Sequence, residues 1–563
     1  MNEDEIFVKR PGESQPAQMT GTNTVTRTPV GSIQKPINEE YKAKREAERK
    51  RAIKNFEMFG LYTLVYSIFA TFCLYKNVRG ITFPFFTVGT LVFFYFCIKK
   101  TGIEVKRTNA FYMISMLLLG ISIFLTEDHQ MTGLAKWALF ILLLIFILRN
   151  IFDDSEWHLF SYLKAIVLYL GKIIEKLGTP FSDSSAFFKE RKKIKEENKE
   201  ENENIKATGK VTYVLIGVVI SIPILIIVLN LLCSADAVFK EACDAFIELI
   251  EIKNILCILI MMIIVYMIFY PLARFTADKD IEINPQNHRK YEPILAITVT
   301  SILTFVYLLF SGIQIMYLFT RVSVPEGYTF AEYAHEGFYE LLIVCLINLV
   351  IVLVCTNLFR YNKVLNIVLT VFSVCTYIMI ASSAYRMILY VETYDLTRLR
   401  VYVMVGLAVL SVLMVGVMIS IFSEKFNLFK YGIAVLTVSC ILLVYSHPSF
   451  IIAYYNVDQY KKHGGNIDIS YLTELPLDAT PVLFDVDNYQ LLRESEEWEY
   501  SSYSDMKYYC RDFNENDDYA DEYICRDMNF RNFNLSKFLA VKSYEKLRTY
   551  DFFNDDVINW ETF

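Results

Sequence analysis

Histidine is scarce, with six residues scattered over 563 positions. The chain carries no H-E-x-x-H pair, no Walker loop, no G-x-S-x-G elbow and no dinucleotide fingerprint, so the signatures of zinc peptidases, P-loop nucleotidases, α/β-hydrolases and Rossmann enzymes are all missing. Catalytic residues therefore stay unassigned. The eleven cysteines show no paired metal spacing. Nine of them fall in or near apolar runs, where a thiol serves as a small packing residue. No metal and no cofactor is expected. An internal repeat is also lacking, which tells against the inverted-repeat transporters. Met1 to Lys54 is polar and lacks the short apolar core and small-residue cleavage site of a removable signal, so the first span is expected to act as an uncleaved anchor.

What the chain has in excess is apolar surface. Hydrophobic residues make up 54% and aromatic residues 15%, and the mean hydropathy is +0.33, above the usual globular mix. Apolar stretches of roughly 17 to 25 residues, long enough to cross the ~30 Å hydrocarbon layer as helices, recur about eleven times. They run from Phe56 to Tyr75, Ile81 to Ile98, Asn109 to Leu125, Gly133 to Phe152, Val211 to Leu232, Asn254 to Phe275, Ile294 to Phe319, Phe338 to Phe359, Val364 to Tyr390, Leu399 to Phe422 and Leu428 to His447. The expected fold class is all-α, a polytopic transmembrane helical bundle.

Orientation follows from lysine and arginine near the span ends, which stay cytoplasmic. Lys42 to Lys54 is strongly basic and puts the N-terminus inside. Alternation then assigns the basic connections Lys99 to Arg107, Lys189 to Lys199, Arg274 to Lys290, Arg360 to Lys363 and Lys425 to Lys430 to the same side. Glu127 to Gln130, Cys233 to Lys253, Pro325 to Leu342 and the C-terminal tail fall outside. One helix, Trp157 to Lys176, is apolar enough to suggest another span, but Lys164, Lys172 and Glu175 share ~80° of its arc. It is read as lying in the cytoplasmic interface.

The expected organisation is a disordered tail over 1–38, a charged helix over 39–55, a four-span front bundle over 56–152, an interfacial helix and charged linker over 153–210, a seven-span core over 211–453 and an acidic extracytoplasmic domain over 454–563. That last segment holds 11 Lys and Arg against 23 Asp and Glu, a net of −12, so the rest carries +5 of the whole-chain −7. An acidic outside and a basic inside fit a bacterial plasma-membrane protein whose partners are the lipid bilayer and an extracytoplasmic protein or small-molecule ligand, with no nucleic acid. Asn534 or Ser536 is placed to cap a helix through about Arg548. Cys510 and Cys525 lie on the side where disulfides persist and are candidates for a bridge, the alternative being two reduced thiols.

Ionisable residues beside the spans form the candidate site. Thr329 and Glu332 fit a capping box, and Glu332, Glu336 and Glu340 recur at four-residue spacing on the helix it would start. Like charges so spaced cost ~0.2 to 0.5 kcal/mol each, and carboxylates beside hydrocarbon call for partners, water or a purpose. Arg386, Arg398 and Arg400 lie on the side where the charge rule disfavours arginine; pairing with the glutamates, binding of an anionic ligand or headgroup, and snorkelling all account for them. Ser234 can cap a helix with Asp236 in its first turn. Asp236, Glu336, Glu340, Arg386, Arg398 and Arg400 are the ligand-binding candidates. His335 is read as a structural interfacial histidine. Asn230, Gln314, Asn348, Asn357 and Asn366 are expected to hydrogen-bond between helices.

The segments SADAVF, PEGYTFAEYAHEGFYELL, YDLTRLRVY and NIDISYLTELPLDATP resemble, in this order, hallmark segments of the bacterial membrane family known as domain of unknown function four-one-five-three and its relative four-one-seven-three. The resemblance covers Val211 to Leu483. The family pattern has Arg at the position of His335 and Gly at that of Asp395. The resemblance implies architecture and no particular chemistry. Three functions stay open: an outward-facing polar site for a small or lipidic ligand, serving transport, sensing or envelope assembly; an enzyme acting on a lipid-linked substrate, with Glu336 or Asp236 as acid or base; and a membrane scaffold that docks partners through its tail.

Overall fold

The computed structural model describes residues 34–77, 79–154, 157–197, 252–279, 289–316, 338–423, 425–495 and 530–550, together with the single positions 221, 228, 232 and 235. Among them the regular structure is helical. No strand forms, and the one β-type pairing is an isolated bridge between Tyr291 and Phe359. The helices are α1 (Gln34–Leu74), α2 (Thr82–Lys100), α3 (Ala110–Leu125), α4 (His129–Ile151), α5 (Leu159–Glu175), α6 (Thr179–Glu197), α7 (Ile252–Asp278), α8 (Pro293–Gln314), α9 (Phe338–Leu358), α10 (Lys363–Tyr394), α11 (Arg398–Phe422) and α12 (Leu428–Tyr445). After them come α13 (Pro448–His463), α14 (Ile469–Thr473), α15 (Thr480–Leu483), α16 (Val486–Arg493) and α17 (Leu535–Arg548).

Ten of these helices, α1 to α4 and α7 to α12, are long and apolar enough to cross a membrane. They match ten of the eleven expected spans, and the remaining one, Val211 to Leu232, lies almost wholly outside the described residues. Side-chain caps mark several starts where an apolar run follows a polar residue. Asp128 accepts the Gln130 and Met131 amides at α4, Asn362 those of Val364 and Leu365 at α10, and Asn427 that of Lys430 at α12. Asn534, one of the two expected caps, accepts the Lys537 amide at the head of α17.

The spanning helices form two groups joined by α12. In the first, α1 packs on α2 and α7, α2 on α3 and α3 on α4; in the second, α8 and α9 pack on α10, and α10 on α11. Helix α12 meets α11 on one side and α3 and α4 on the other. Apolar residues such as Ile294, Leu295 and Phe305 on α8 stay exposed, while Phe94, Phe146, Tyr270 and Phe275 fill the core of the first group. Polar residues tie the second group together. The Tyr307 hydroxyl donates to Asn348 (2.9 Å), Asn348 donates to Thr376 (3.1 Å), and Asn366 donates to the Ile421 carbonyl (3.0 Å). Asn357 departs from the expectation: its amide turns back to Leu353 of its own helix, the local bond open to a short side chain near a helix end.

The two ends of the bundle carry different polar clusters, named here for a buried aspartate in each. At the Asp154 end, Asp154 accepts from Tyr162 (2.6 Å) and pairs with Arg149 (2.8 Å) and Lys430 (3.2 Å). Nearby, Arg274 bridges Asp183 (2.7 Å) and Asp278 (2.8 Å). Helix α5 lies against helix termini at this end, stacking Tyr162 on Phe429 at the start of α12 (3.9 Å) and setting Tyr169 against Phe275 near the end of α7 (4.3 Å). The Asp128 end is covered by the segment after α12. Ile452, Ile469, Leu472, Leu483, Leu492 and Leu547 share one apolar cluster with residues of α9, α10 and α11. Just before α17 the chain crosses the α1–α2 turn, where the Ile81 amide donates to the Phe533 carbonyl (2.8 Å). Gly80 permits that crossing, since a Cβ there would fall 2.4 Å from the Arg531 carbonyl oxygen.

Candidate functional site

Helix α11 opens with arginine at its first and third positions, Arg398 and Arg400. Residues two apart on a helix point in different directions, so the two guanidiniums leave the helix on separate sides. Arg398 turns toward α4. Its Nη2 lies 3.3 Å from Asp128 Oδ1, and its backbone amide donates to the Tyr471 hydroxyl (2.7 Å). Asp128 is wholly buried and also caps α4 and accepts from Ser449 (3.1 Å). One carboxylate thus joins α4, α11 and α13.

Arg400 turns the other way. It donates to the Tyr394 and Asp395 carbonyls and lies over the Tyr390 ring, 4.3 Å from its centroid. Arg386 sits two turns before the end of α10, 5% exposed, where Gln314 Oε1 accepts from its Nη2 (3.2 Å) and from Ser382 (2.7 Å). The two arginines share a cleft of 230 Å³ whose walls include Phe338, Tyr339, Tyr390, Thr397 and Leu399. The cleft therefore combines two guanidiniums with the start of α11, whose first-turn amides and dipole favour an anion. Thr397, the residue before α11, caps no amide with its side chain.

The other expected members divide. Glu340 is in the first turn of α9, exposed, and makes no ion pair among the described residues. Asp236, Glu336, Cys510 and Cys525 lie outside the described residues, as do His335, Asn230 and the Thr329–Glu332 capping box. Among the described residues, no group of three or more His, Cys, Asp and Glu converges as a metal site would require.

Two acids buried at the Asp128 end, Asp478 and Asp128 itself, escaped the sequence reading. Asp478, in the turn before α15, accepts from Thr126 and lies 3.7 Å from His447 Nδ1. Burial pushes this carboxyl up, but His447, Ser536 and Thr126 outweigh it and hold it below the usual carboxylate range. Beside it, burial keeps Glu127 above that range although Arg79 pairs with it at 2.8 Å. The signal for Asp128 was its place before an apolar run, which reads as a cap; nothing local announces a partner 270 residues away.

The family model described as Domain of unknown function (DUF4153) matches residues 113–486. The chain belongs to this family. The match spans α3 to the start of α16 and takes in Asp128, Arg386, Arg398, Arg400 and Asp478. Asp395, where the expected family pattern has Gly, sits at φ +64° and ψ −179°, a region that glycine alone enters freely. No curated protein and no solved structure matches the chain. Ten apolar helices make the protein a multi-pass membrane protein.

Proposed function

We propose that the Arg386–Arg400 cleft binds the anionic group of a small molecule or a lipid, for transport, sensing or envelope assembly, and that the Asp128 end faces outward. The observation that carries this reading is the meeting of two arginines, an open helix start and aromatic walls in one cleft. Arginine suits phosphate and carboxylate because its planar fork donates two parallel hydrogen bonds. Tyr339, Tyr390 and Leu399 offer apolar surface beside that charge, as an amphiphile needs. Outward orientation is supported by the basic segments that gather at the other end.

Inorganic phosphate and a short-chain phosphatidylglycerol are the two probes, each read as a rise in the thermal midpoint of the detergent-solubilised full chain. Stabilisation by phosphate alone marks a small-anion site; stabilisation by the lipid alone marks a headgroup site. Arg400→Gln is expected to weaken the effective probe about tenfold, the loss of one charge-assisted hydrogen bond, with a fall of the unliganded midpoint smaller than that of Arg398→Gln, from the lost contacts to the Tyr394 and Asp395 carbonyls and the Tyr390 ring. Arg398→Gln should do the reverse. It strands Asp128 without its cation, which costs about 3 kcal/mol of stability, while probe affinity is retained. Equal affinity in wild type and Arg400→Gln would sink the reading.

A further inference from the structure

Helix α8 is built inside out. Its large apolar side chains Ile294, Leu295, Ile302, Phe305 and Leu309 are exposed, whereas its buried positions beyond Ala296 are Thr300, Thr304, Ser311 and Gln314. The facing helices return polar groups at matching heights. From the cleft inward come Arg386 with Gln314 and Ser382, then Tyr307 with Asn348 and Thr376, then Thr304 and Thr300. Beyond them the interior turns apolar. Ala296, Val352, Leu369, Phe372 and Val417 form one cluster, and the Phe372 ring rests 5.3 Å from that of Tyr307. On the far side of this cluster a second cavity, of 290 Å³, opens at the Asp154 end between Thr356, Asn357, Ser420, Ser423 and Asn427.

Helix-to-helix adhesion explains part of the seam. Thr300, Thr304, Ser373 and Thr376 satisfy themselves by donating to the carbonyl one turn earlier. It does not explain an arginine eight residues, about 12 Å, before the end of a spanning helix. Nor does it explain Ser383, fully buried on α10, whose hydroxyl has no hydrogen-bond partner among the described residues. Buried hydroxyls are ordinarily paired, and water is the usual partner when protein supplies none.

We propose that the α8–α9–α10 seam is a path for small hydrated anions, entered from the Arg386–Arg400 cleft, closed by the Phe372 cluster, with the 290 Å³ cavity as its other mouth. It rests on the anion-site reading for its selectivity. The Arg386 guanidinium and the Ser383 hydroxyl are the donors that the seam turns toward an anion that sheds part of its water, and no carboxylate interrupts them among the residues named. The apolar cluster around Phe372 separates the seam and its cleft from the 290 Å³ cavity at the Asp154 end.

Two native thiols report on the path. Cys345 lies on α9 one turn from Asn348 on the cleft side, close to Tyr307, and Cys355 lies within the apolar cluster; both are free and buried. The full chain in liposomes would be treated with an anionic and a cationic thiosulfonate reagent and the modified cysteines read by peptide mass spectrometry. Cys345 is expected to react at least tenfold faster with the anionic reagent, Arg386→Gln to erase that preference, and Phe372→Ala to extend modification to Cys355. Phe372→Val serves if the alanine variant fails to elute as a single folded species. A Cys345 that stays unmodified in wild type and in the folded Phe372 variant means a dry, packed seam and overturns the proposal. Equal rates for the two reagents overturn its anion selectivity. Stabilisation by phosphate with a silent Cys345 leaves the cleft reading standing and removes the path.

Discussion

Asp395 turns the chain between α10 and α11 at φ +64°, and a β-carbon in that region strains the backbone by about 1 to 3 kcal/mol. Glycine gives back part of the gain through its greater freedom in the unfolded chain, about 0.5 to 1 kcal/mol. Asp395→Gly is therefore expected to raise stability by about 1 kcal/mol and Asp395→Val to lower it, both read by thermal or denaturant unfolding in detergent. A glycine variant less stable than wild type would mean that the Asp395 side chain contributes more than its backbone costs. The same short connection sets the roles of its arginines. Arg398 and Arg400 read alike in the sequence, yet one completes a buried pair with Asp128 and the other enters the cleft.

At the scale of elements, α5 shows how an amphipathic helix is fixed by one polar contact and two aromatic ones. Its buried residues Ser161, Tyr162, Ala165 and Tyr169 lie on one face, and Tyr162 reaches both Phe429 and Asp154. Burial pushes Asp154 up, but the Tyr162 hydrogen bond and the Arg149 and Lys430 charges outweigh it and bring the carboxyl down to about 2. An unfolded aspartate titrates near pH ~3.9. The folded value is the lower one, so this group's stabilisation is fully present above about pH 4 and is lost as pH falls toward 2. Asp154→Asn should be less stable at pH 7 by about 3 kcal/mol, since it leaves Arg149 uncompensated, and its stability should fall less than that of wild type between pH 4 and 2. Parallel pH dependences in the two proteins would show that Asp154 is not the titrating group.

The whole molecule is held together by segments far apart in sequence. Helix α12 joins the two groups of spans, and the described residues after it pack on the Asp128 end: α13 runs through position 454, and α17 packs on α15, the Leu477–Ala479 turn and α3. Leu547 is fully buried there. Leu547→Ala is expected to cost about 2 to 5 kcal/mol, measured as a fall in the unfolding midpoint of the solubilised protein. A midpoint unchanged by that substitution would mean that α17 is detached from the bundle. The apolar face of α17 is thus occupied within the chain, and a tail that docks partners would have to use other surface.

The sequence by itself determined the helical class, ten spans to within a few residues, the Asn534 cap and the family, because these depend on local properties: hydrophobic length, a capping side chain, the order of short motifs. It also singled out Arg386 and Arg400, since a charge beside hydrocarbon is conspicuous whatever surrounds it. Only the tertiary structure decided which arginine meets which partner. Asp128 lies 270 residues from Arg398 and Asp478 lies 352 from Thr126, and no local pattern encodes such a pairing. Each of these acids reads as an ordinary surface residue in its own stretch. It becomes a buried anchor only when helices from both halves of the chain close around it, and the low dielectric they create gives the pair its strength.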